Sequence, residues 1–546
     1  MRQESAGRAG NLARVMSGAA PERPLPSPTG PARRPDRRWV WWLVLGCALL
    51  FAIACRDMQF APDSIHYTDV ARTLLREHTA ATWHLTLNSE RVPDPKLYWP
   101  PGYPLMLAAV MATGASVQTA AWVVAVLCWS AVLGLLVFWQ RHAEWGLLGA
   151  VAFIYMLFAW GIAFRAWSEA PYSAFMLGAL VCMAAAIGSG DTWRATWLGL
   201  IAGVLAGGAA MCRYPGIIIV PALALAALIV PLKRDDAWSL RWSALVPMLG
   251  AAALIVVPWI ARTISLAGVA FGPARPPSDR SLSWVLGALG SSLYLDFGAV
   301  LLALLFAIVG FHRAPREPQV EGAESHPLFL HALAIAALLC ALAQSGLLVL
   351  SQLAWQIDEP PSQRYLFPAY LCVVVAALAV IGRTRPPAHV LRRRWPSVLA
   401  LALPLVLAPL AAARFAHDVT PQRTALDDWI AANTSPRALI IGHRAWPVRF
   451  YTGRPVRESG QVADPPVFDG VLVAQFLRKF GDRFDGVYLL LPDTIPEEIA
   501  RDIVDRYQNS GLHLEDVAQV STRDHESPSE FVMRIYRVKA RGMWSN

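Results

Sequence analysis

Apolar runs of near-membrane length recur along most of this chain, and no other feature limits its fold so strongly. They lie near residues 39–55, 119–139, 147–163, 170–187, 197–212, 215–232, 243–260, 296–311, 329–354, 366–382 and 397–413. A helix needs about 20 apolar residues to cross the hydrocarbon core, because every backbone N–H and C=O must find its partner within the segment. About eleven transmembrane helices are therefore expected, several of them short. Composition agrees: 55% of the 546 residues are hydrophobic and 16% charged, too apolar for an ordinary soluble chain. The 22 Trp residues suit the headgroup zone, which indole rings prefer.

Basic residues orient the spans. If the N-terminus is cytoplasmic, alternate connections carry Arg33, Arg34, Arg37 and Arg38, then Arg141, Arg194, Lys233, Arg234 and Arg241. Arg313, Arg316, Arg383, Arg385, Arg392, Arg393 and Arg394 follow on the same side, as the positive-inside rule requires. The opposite side receives Asp57, Asp63, Asp69, Glu169, Asp279, Asp358 and Glu359. The net charge of +9 thus reflects topology. No nucleic-acid-binding motif accompanies it, and nucleic acid is not an expected partner. The seven cysteines form no CxxC or Cys/His metal spacing and read as small buried hydrophobes.

Residues 1–38, rich in Pro, Arg and Ser, lack a packable pattern and are expected to be a disordered cytoplasmic tail. The run from Trp39 reads as a retained anchor. An odd number of spans places residues 415–546 outside. There "TALDDWIAANT", "DGVLVAQFLRKF" and "IPEEIARDIVDRYQNSG" read as helices, and "ALIIGH", "DGVYLLL" and "EFVMRIYRV" as strands. Alternation of this kind predicts an α/β domain. The expected fold is a polytopic α-helical membrane protein with a C-terminal extracytoplasmic α/β domain. Its parts are the 1–38 tail, a 39–414 membrane domain with a long first outer loop at 56–118, and a 415–546 periplasmic domain.

The outer connections carry the candidate chemistry. In "FAPDSIHYTDVARTLL" the residues Asp63, Tyr67, Val70, Ala71, Leu74 and His78 recur at helical spacing, predicting an amphipathic helix lying on the membrane surface. Asp63 or Ser64 could cap that helix, and a capping carboxylate could also react. "LYWPPGYPLMLAAV" makes a stiff turn holding Tyr103, followed by an apolar helix. "FRAWSEAPYSAF" groups Arg165 with Glu169 and puts Ser168 at the cap of the next helix. "CRYPG" sets Arg213 in a tight turn, and "IDEPPSQRYLFPAY" sets Arg364 and Tyr365 where a span begins. One such arginine alone would read as an interfacial anchor. Several on the same side as a carboxylate suit a phosphate-bearing lipid, whose oxygens match guanidinium donors.

In order and sidedness, "PDSIHYTDVARTLL", "WPPGYPLMLA", "SEAPYSAF", "CRYPG", "QRYLFPAY" and "WIAANTSPRALIIGHRAWPVRFYTGRP" resemble the type C glycosyltransferases. These polytopic enzymes take sugars from polyprenyl phosphates. The likeness is to the branch holding protein O-mannosyltransferases, lipid A aminoarabinose transferases and bacterial lipopolysaccharide-core transferases, and it covers most of residues 39–460. One departure is that Asp63 is followed by Ser64, where the mannosyltransferase branch often has paired acids.

The resemblance implies transfer of a hexosyl or pentosyl group from a polyprenyl-phosphate donor to a hydroxyl of a lipid, polysaccharide or protein, with inversion. Asp63 matches the family's general base. Glu169 would be an auxiliary acid, Arg165, Arg213 and Arg364 would meet the phosphate, and Tyr67, Tyr103 and Tyr365 would line the cavity. Metal dependence is left open, since a divalent ion held by Asp63, Glu169 or a nearby His could also stabilise the leaving group. The expected location is a bacterial cytoplasmic (inner) membrane, with membrane lipids as neighbours. The rival reading is a polytopic lipid or glycolipid transporter or flippase. Against it stand the lack of an internal repeat and the placing of acids at helix ends instead of mid-span.

Overall fold

A computed structural model describes most of residues 45–540, with gaps of ten or more residues at 292–324, 383–405, 411–422 and 458–469. The apolar runs at 39–55, 296–311 and 397–413 lie wholly or largely outside the described residues. The first long connection contains helix α1 (Pro62–Glu77), strands β1 (Ala81–Thr82), β2 (His84–Leu85) and β3 (Asp94–Pro95), and helix α2 (Gly102–Met111). The helical part continues with α3 (Val117–Phe138), α4 (Ala143–Ala159), α5 (Glu169–Ile187), α6 (Thr192–Cys212) and α7 (Ile219–Ile229). After these come α8 (Ala237–Ala267), α9 (Leu282–Ser291), α10 (Ser325–Ala354) and α11 (Gln363–Gly382).

Among the described residues five helices are long and apolar enough to cross a membrane, namely α3, α5, α6, α8 and the Leu328–Ala354 part of α10. The regions of α2, α4, α7, α9 and α11 hold shorter apolar helices. The chain is a multi-pass helical membrane protein; the described residues hold five clear spans, and three of the eleven expected runs fall wholly or largely outside them. Local chemistry sets the helix ends and contacts. Asp191 caps α6 by accepting from the N–H groups of Trp193 and Arg194 at 3.2 and 3.0 Å. Gly199 and Gly203 then let α6 approach α8 so closely that a methyl at either would collide with the backbone of Ala244 or Met248. Small residues one turn apart bring helix backbones together in this way where lipid offers no hydrophobic drive.

The C-terminal part comprises α12 (Ala425–Asn433), β4 (Leu439–Gly442), α13 (Ala445–Thr452), β5 (Val456–Arg457) and α14 (Gly470–Phe480). It ends with β6 (Val487–Pro492), α15 (Glu497–Asn509), β7 (Leu512–Arg523) and β8 (Glu530–Ala540). Its sheet runs β2-β5-β4-β6-β8-β7. The first four strands pair in parallel, and β8 pairs antiparallel with both β6 and β7. Strand β4 alternates between two cores. Leu439 and Ile441 pack with Val473 and Leu477 of α14 and Ile503 and Tyr507 of α15, while Ile440 packs with Leu426 and Ile430 of α12 and Val448 of α13. A parallel strand covered on both faces reads as an unbroken apolar run, which is how "LII" and "VYLLL" appear in the sequence.

Two features differ from expectation. Strand β2 comes from the first loop and pairs His84 with Val456 at the edge of the C-terminal sheet, so the two regions share one sheet. Helix α1 also does not lie on a surface by one apolar face. Ser64, Ile65, Tyr67, Thr68, Asp69, Val70, Ala71 and Thr73 are all buried, whereas His78 is exposed. The helix packs against α2, β1 and α13, and contacts on several sides bury its polar residues as well.

Candidate active site

Four chain segments meet at the end of the helix bundle that carries the first loop. They are the start of α1, the turn into α5, the exit of α6 and the start of α11. A strand-like bridge joins the first two, with Gln59 N–H donating to Phe164 O at 2.6 Å and Ala166 N–H to Gln59 O at 2.9 Å. The cap of α1 is Ala61, with Pro62 in the first turn and no side-chain capping bond. Asp63 and Ser64 therefore do not cap. Asp63 points to the meeting point instead, while Ser64 Oγ is buried with no hydrogen-bond partner among the described residues. Ser168 does occupy the cap position of α5, also without a capping bond, and its Oγ lies 3.3 Å from Tyr67 Oη.

Glu169 is the centre of the cluster, with 0% of its side chain exposed. Its Oε1 accepts from Arg213 Nη1 and from Arg364 Nε at 2.5 Å. Arg364 also reaches Asp63, Nη2 to Oδ2, at 2.7 Å. The Asp63 side chain is 26% exposed, so it alone of the two acids is reachable. Glu169 Oε2 is buried with no hydrogen-bond partner among the described residues.

Aromatic rings hold the cations. Two guanidinium groups approach the Trp167 ring, Arg364 at 4.1 Å and Arg165 at 4.5 Å from its centroid. Tyr365 takes Arg213 at 5.6 Å and Arg364 at 5.9 Å. Such stacking suits the weakly hydrated, planar guanidinium. Tyr103 is buried and meets Tyr67 edge-on at 5.2 Å. Burial, together with the charges of Asp63 and Glu169, pushes the Tyr67 phenol well up despite Arg364 and Arg213. It stays protonated at neutral pH. All eight residues singled out from the sequence thus fall in or beside one cluster.

A narrow cleft opens one helical turn past Asp63, lined by His66, Tyr67, Trp99, Pro101, Pro104 and Trp259. Beside it is Arg262, which the sequence reading passed over. Its guanidinium lies 4.7 Å over the Trp259 ring, and its Nη2 donates to Ala80 O at 3.1 Å. Its Nη1 is buried with no hydrogen-bond partner among the described residues. Arg262 stands two residues past the 243–260 apolar run and looks in sequence like an interfacial anchor, so only the fold reveals it.

A divalent cation does not fit this donor set. The guanidinium of Arg364 spans the space between the two carboxylates. No group of three His, Cys, Asp or Glu residues among those described could hold a metal ion.

No family model matches the chain, and a search of curated proteins finds none that matches. Solved structures do. The chain is similar to ArnT from Cupriavidus metallidurans bound to undecaprenyl phosphate, with a TM-score of 0.58 and 14% identity over 91% of this chain and 98% of that one. It is also similar to the mycobacterial arabinofuranosyltransferase AftD, with a TM-score of 0.51 and 14% identity over 92% of this chain and 41% of that one. The fold is that of the type C glycosyltransferases, as the resemblance in the sequence implied.

Proposed function

We propose that the chain is an inverting membrane glycosyltransferase acting at the outer face of the cytoplasmic membrane, moving a sugar from a polyprenyl-phosphate donor to an acceptor hydroxyl. The observation that carries this reading is the Asp63–Arg364–Glu169 bridge, in which one acid is reachable and the other sealed. Asp63 takes the proton of the acceptor hydroxyl as its oxygen attacks the anomeric carbon. The bond from that carbon to the phosphate oxygen breaks, and the polyprenyl phosphate leaves with the electron pair. General-base help of this kind contributes roughly 10²–10⁴-fold.

Glu169 does not reach an acceptor in this reading; it holds Arg213 and Arg364 in place. With those two cations engaged, Arg262 is the better candidate for a donor phosphate oxygen. Its guanidinium over the Trp259 ring at the edge of the aromatic cleft suits a phosphate at the boundary of lipid and water. The undecaprenyl phosphate bound in the ArnT structure supports a donor of that chemistry. The acceptor is a lipid, a polysaccharide or a protein.

The test is rescue of a deletion strain by the wild type or by Asp63→Asn, with mass spectrometry of envelope lipids, polysaccharide and protein. Wild type is expected to restore one sugar mass and the equally abundant variant to leave it missing. Equal rescue by both would remove Asp63 as the base. If deletion alters no glycan, transport of a lipid or glycolipid becomes the better reading.

A further inference from the structure

Helix α1 carries a second carboxylate that the reaction does not use. Asp69 is six residues beyond Asp63, which places it about 120° away around the helix axis. While Asp63 faces the arginines of the helix bundle, Asp69 turns to the C-terminal sheet. Its side chain is 2% exposed, and that of its partner Arg449 on α13 is 7% exposed.

Every acceptor site of Asp69 is occupied. Oδ1 receives Arg449 Nε at 2.7 Å and also Nη2. Oδ2 receives Thr82 Oγ1–H at 2.5 Å and the Trp83 N–H at 2.9 Å. The donors come from opposite ends of the chain. Arg449 belongs to α13 and further ties down Gly453 O. Thr82 and Trp83 open the short segment that enters the sheet, where Val456 N–H donates to Trp83 O at 3.0 Å. One turn on, Arg72 donates to Phe450 O at 3.2 Å, and the Phe60 and Phe450 rings lie 5.0 Å apart. One buried carboxylate therefore joins α1, the β1–β2 segment and α13.

We infer that Asp69 is a positioning residue for the Asp63 carboxylate, acting through its pair with Arg449, so that the C-terminal sheet fixes the helix that presents the reacting acid to Arg364. The inference builds on the proposed role of Asp63 and extends it to the C-terminal region, which contributes none of the eight candidate site residues. A buried pair with all its hydrogen bonds made is a suitable strut. Removing one partner leaves the other charge buried and uncompensated, whereas the intact pair admits little movement. An acid displaced by about 1 Å can lose on the order of 100-fold in rate.

The test reads the surroundings of Asp63 without needing a substrate. The full-length protein in lipid nanodiscs is labelled with a water-soluble carbodiimide and glycine ethyl ester, and the rate at Asp63 is followed by mass spectrometry. Wild type is compared with Asp69→Asn, Arg449→Lys and Thr82→Val, which weaken the strut in different ways. Ile503→Val is the control, since it thins the core under α15 and removes none of the hydrogen bonds made to Asp69. The three strut variants are expected to label Asp63 several-fold faster, and in the rescue assay to restore less of the sugar mass. Ile503→Val is expected to lose stability with Asp63 labelling unchanged.

Unchanged labelling in all folded strut variants would overturn the inference. So would faster labelling in Ile503→Val at a matched unfolding midpoint, which would make the effect one of general loosening. If Asp69→Asn does not fold, Arg449→Lys and Thr82→Val decide. Should deletion alter no glycan, the role of Asp63 in transfer falls, yet the labelling still tells whether the strut sets its position.

Discussion

Arg364 binds two carboxylates with one guanidinium, its Nη2 lying 2.7 Å from Asp63 Oδ2 and its Nε 2.5 Å from Glu169 Oε1. Asp63 belongs to the first loop and Glu169 heads α5, so an arginine at the start of α11 sets their separation. Lysine would keep the charge but lose the planar fork. Arg364→Lys is expected to insert and fold, and to lose about 10²-fold in kcat, the scale of removing one preorganised electrostatic contact. Transfer rates of the purified variant, once the acceptor is known, check this. A wild-type rate would mean that the bridge does not set the geometry of the base.

Glu169 answers two arginines from a fully buried site. Glu169→Gln leaves Arg213 without its counter-charge and Arg364 with Asp63 alone, and breaking a buried pair costs about 3–5 kcal/mol. The thermal midpoint in detergent is expected to fall clearly. Glu169→Asp keeps the charge, and its shorter side chain is expected to spare the fold while lowering transfer. Adding Arg213→Gln to Glu169→Gln should recover part of the lost stability, because the two changes share one interaction. Strict additivity in that pair would argue against a coupled cluster.

Acid should release the Asp69 strut only at low pH. Burial raises the carboxyl pKa, but the charge of Arg449 and the hydrogen bonds from Arg449, Thr82 and Trp83 outweigh it and hold the group below its ordinary 3.8. A carboxyl depressed in the folded state stabilises above its unfolded value, and that contribution is lost as pH falls through the folded value. The difference in midpoint between wild type and Asp69→Asn is thus expected to be flat from about pH 8 to about pH 5 and to shrink only below about pH 4. Shrinkage already between about pH 7 and pH 5 would place the proton on another group.

The candidate cluster was legible because Asp63, Glu169, Arg213 and Arg364 all stand at or next to helix ends on one side. Apolar periodicity locates such ends even when their contacts are unknown. The parallel strands β4 and β6 were legible for a related reason, since burial on both faces leaves an unbroken apolar run. Pairings distant in sequence were not. Asp69 meets Arg449 from the far end of the chain, and nothing local in "HYTDVART" marks it as more than a polar position on a helix. Strand β2 has two residues, too few for a period. Strand β7 is a charged edge strand with an irregularity between Asp516 and Ala518, which breaks the alternation that would have identified it.

Gly102 offers a test of how Arg213 is held. It opens α2 within "PPGYP" and lies against the exit of α6, where a Cβ would come within 2.6 Å of the Met211 carbonyl carbon and strike its oxygen. Arg213 follows two residues later, so anything that moves this exit moves a guanidinium bound to Glu169. Gly102→Ala must push α2 and α6 apart, at a cost of about 1–3 kcal/mol typical of overpacking. Gly134, on α3, has open space at the same atom, and alanine there should be neutral or slightly stabilising by removing glycine's backbone freedom. Gly102→Ala is therefore expected to lower the thermal midpoint and to reduce sugar transfer beyond what a matched loss of stability explains, while Gly134→Ala does neither. If the two variants behave alike in both measurements, the close approach of α2 to α6 is not what aligns Arg213, and its pairing with Glu169 must be enough by itself.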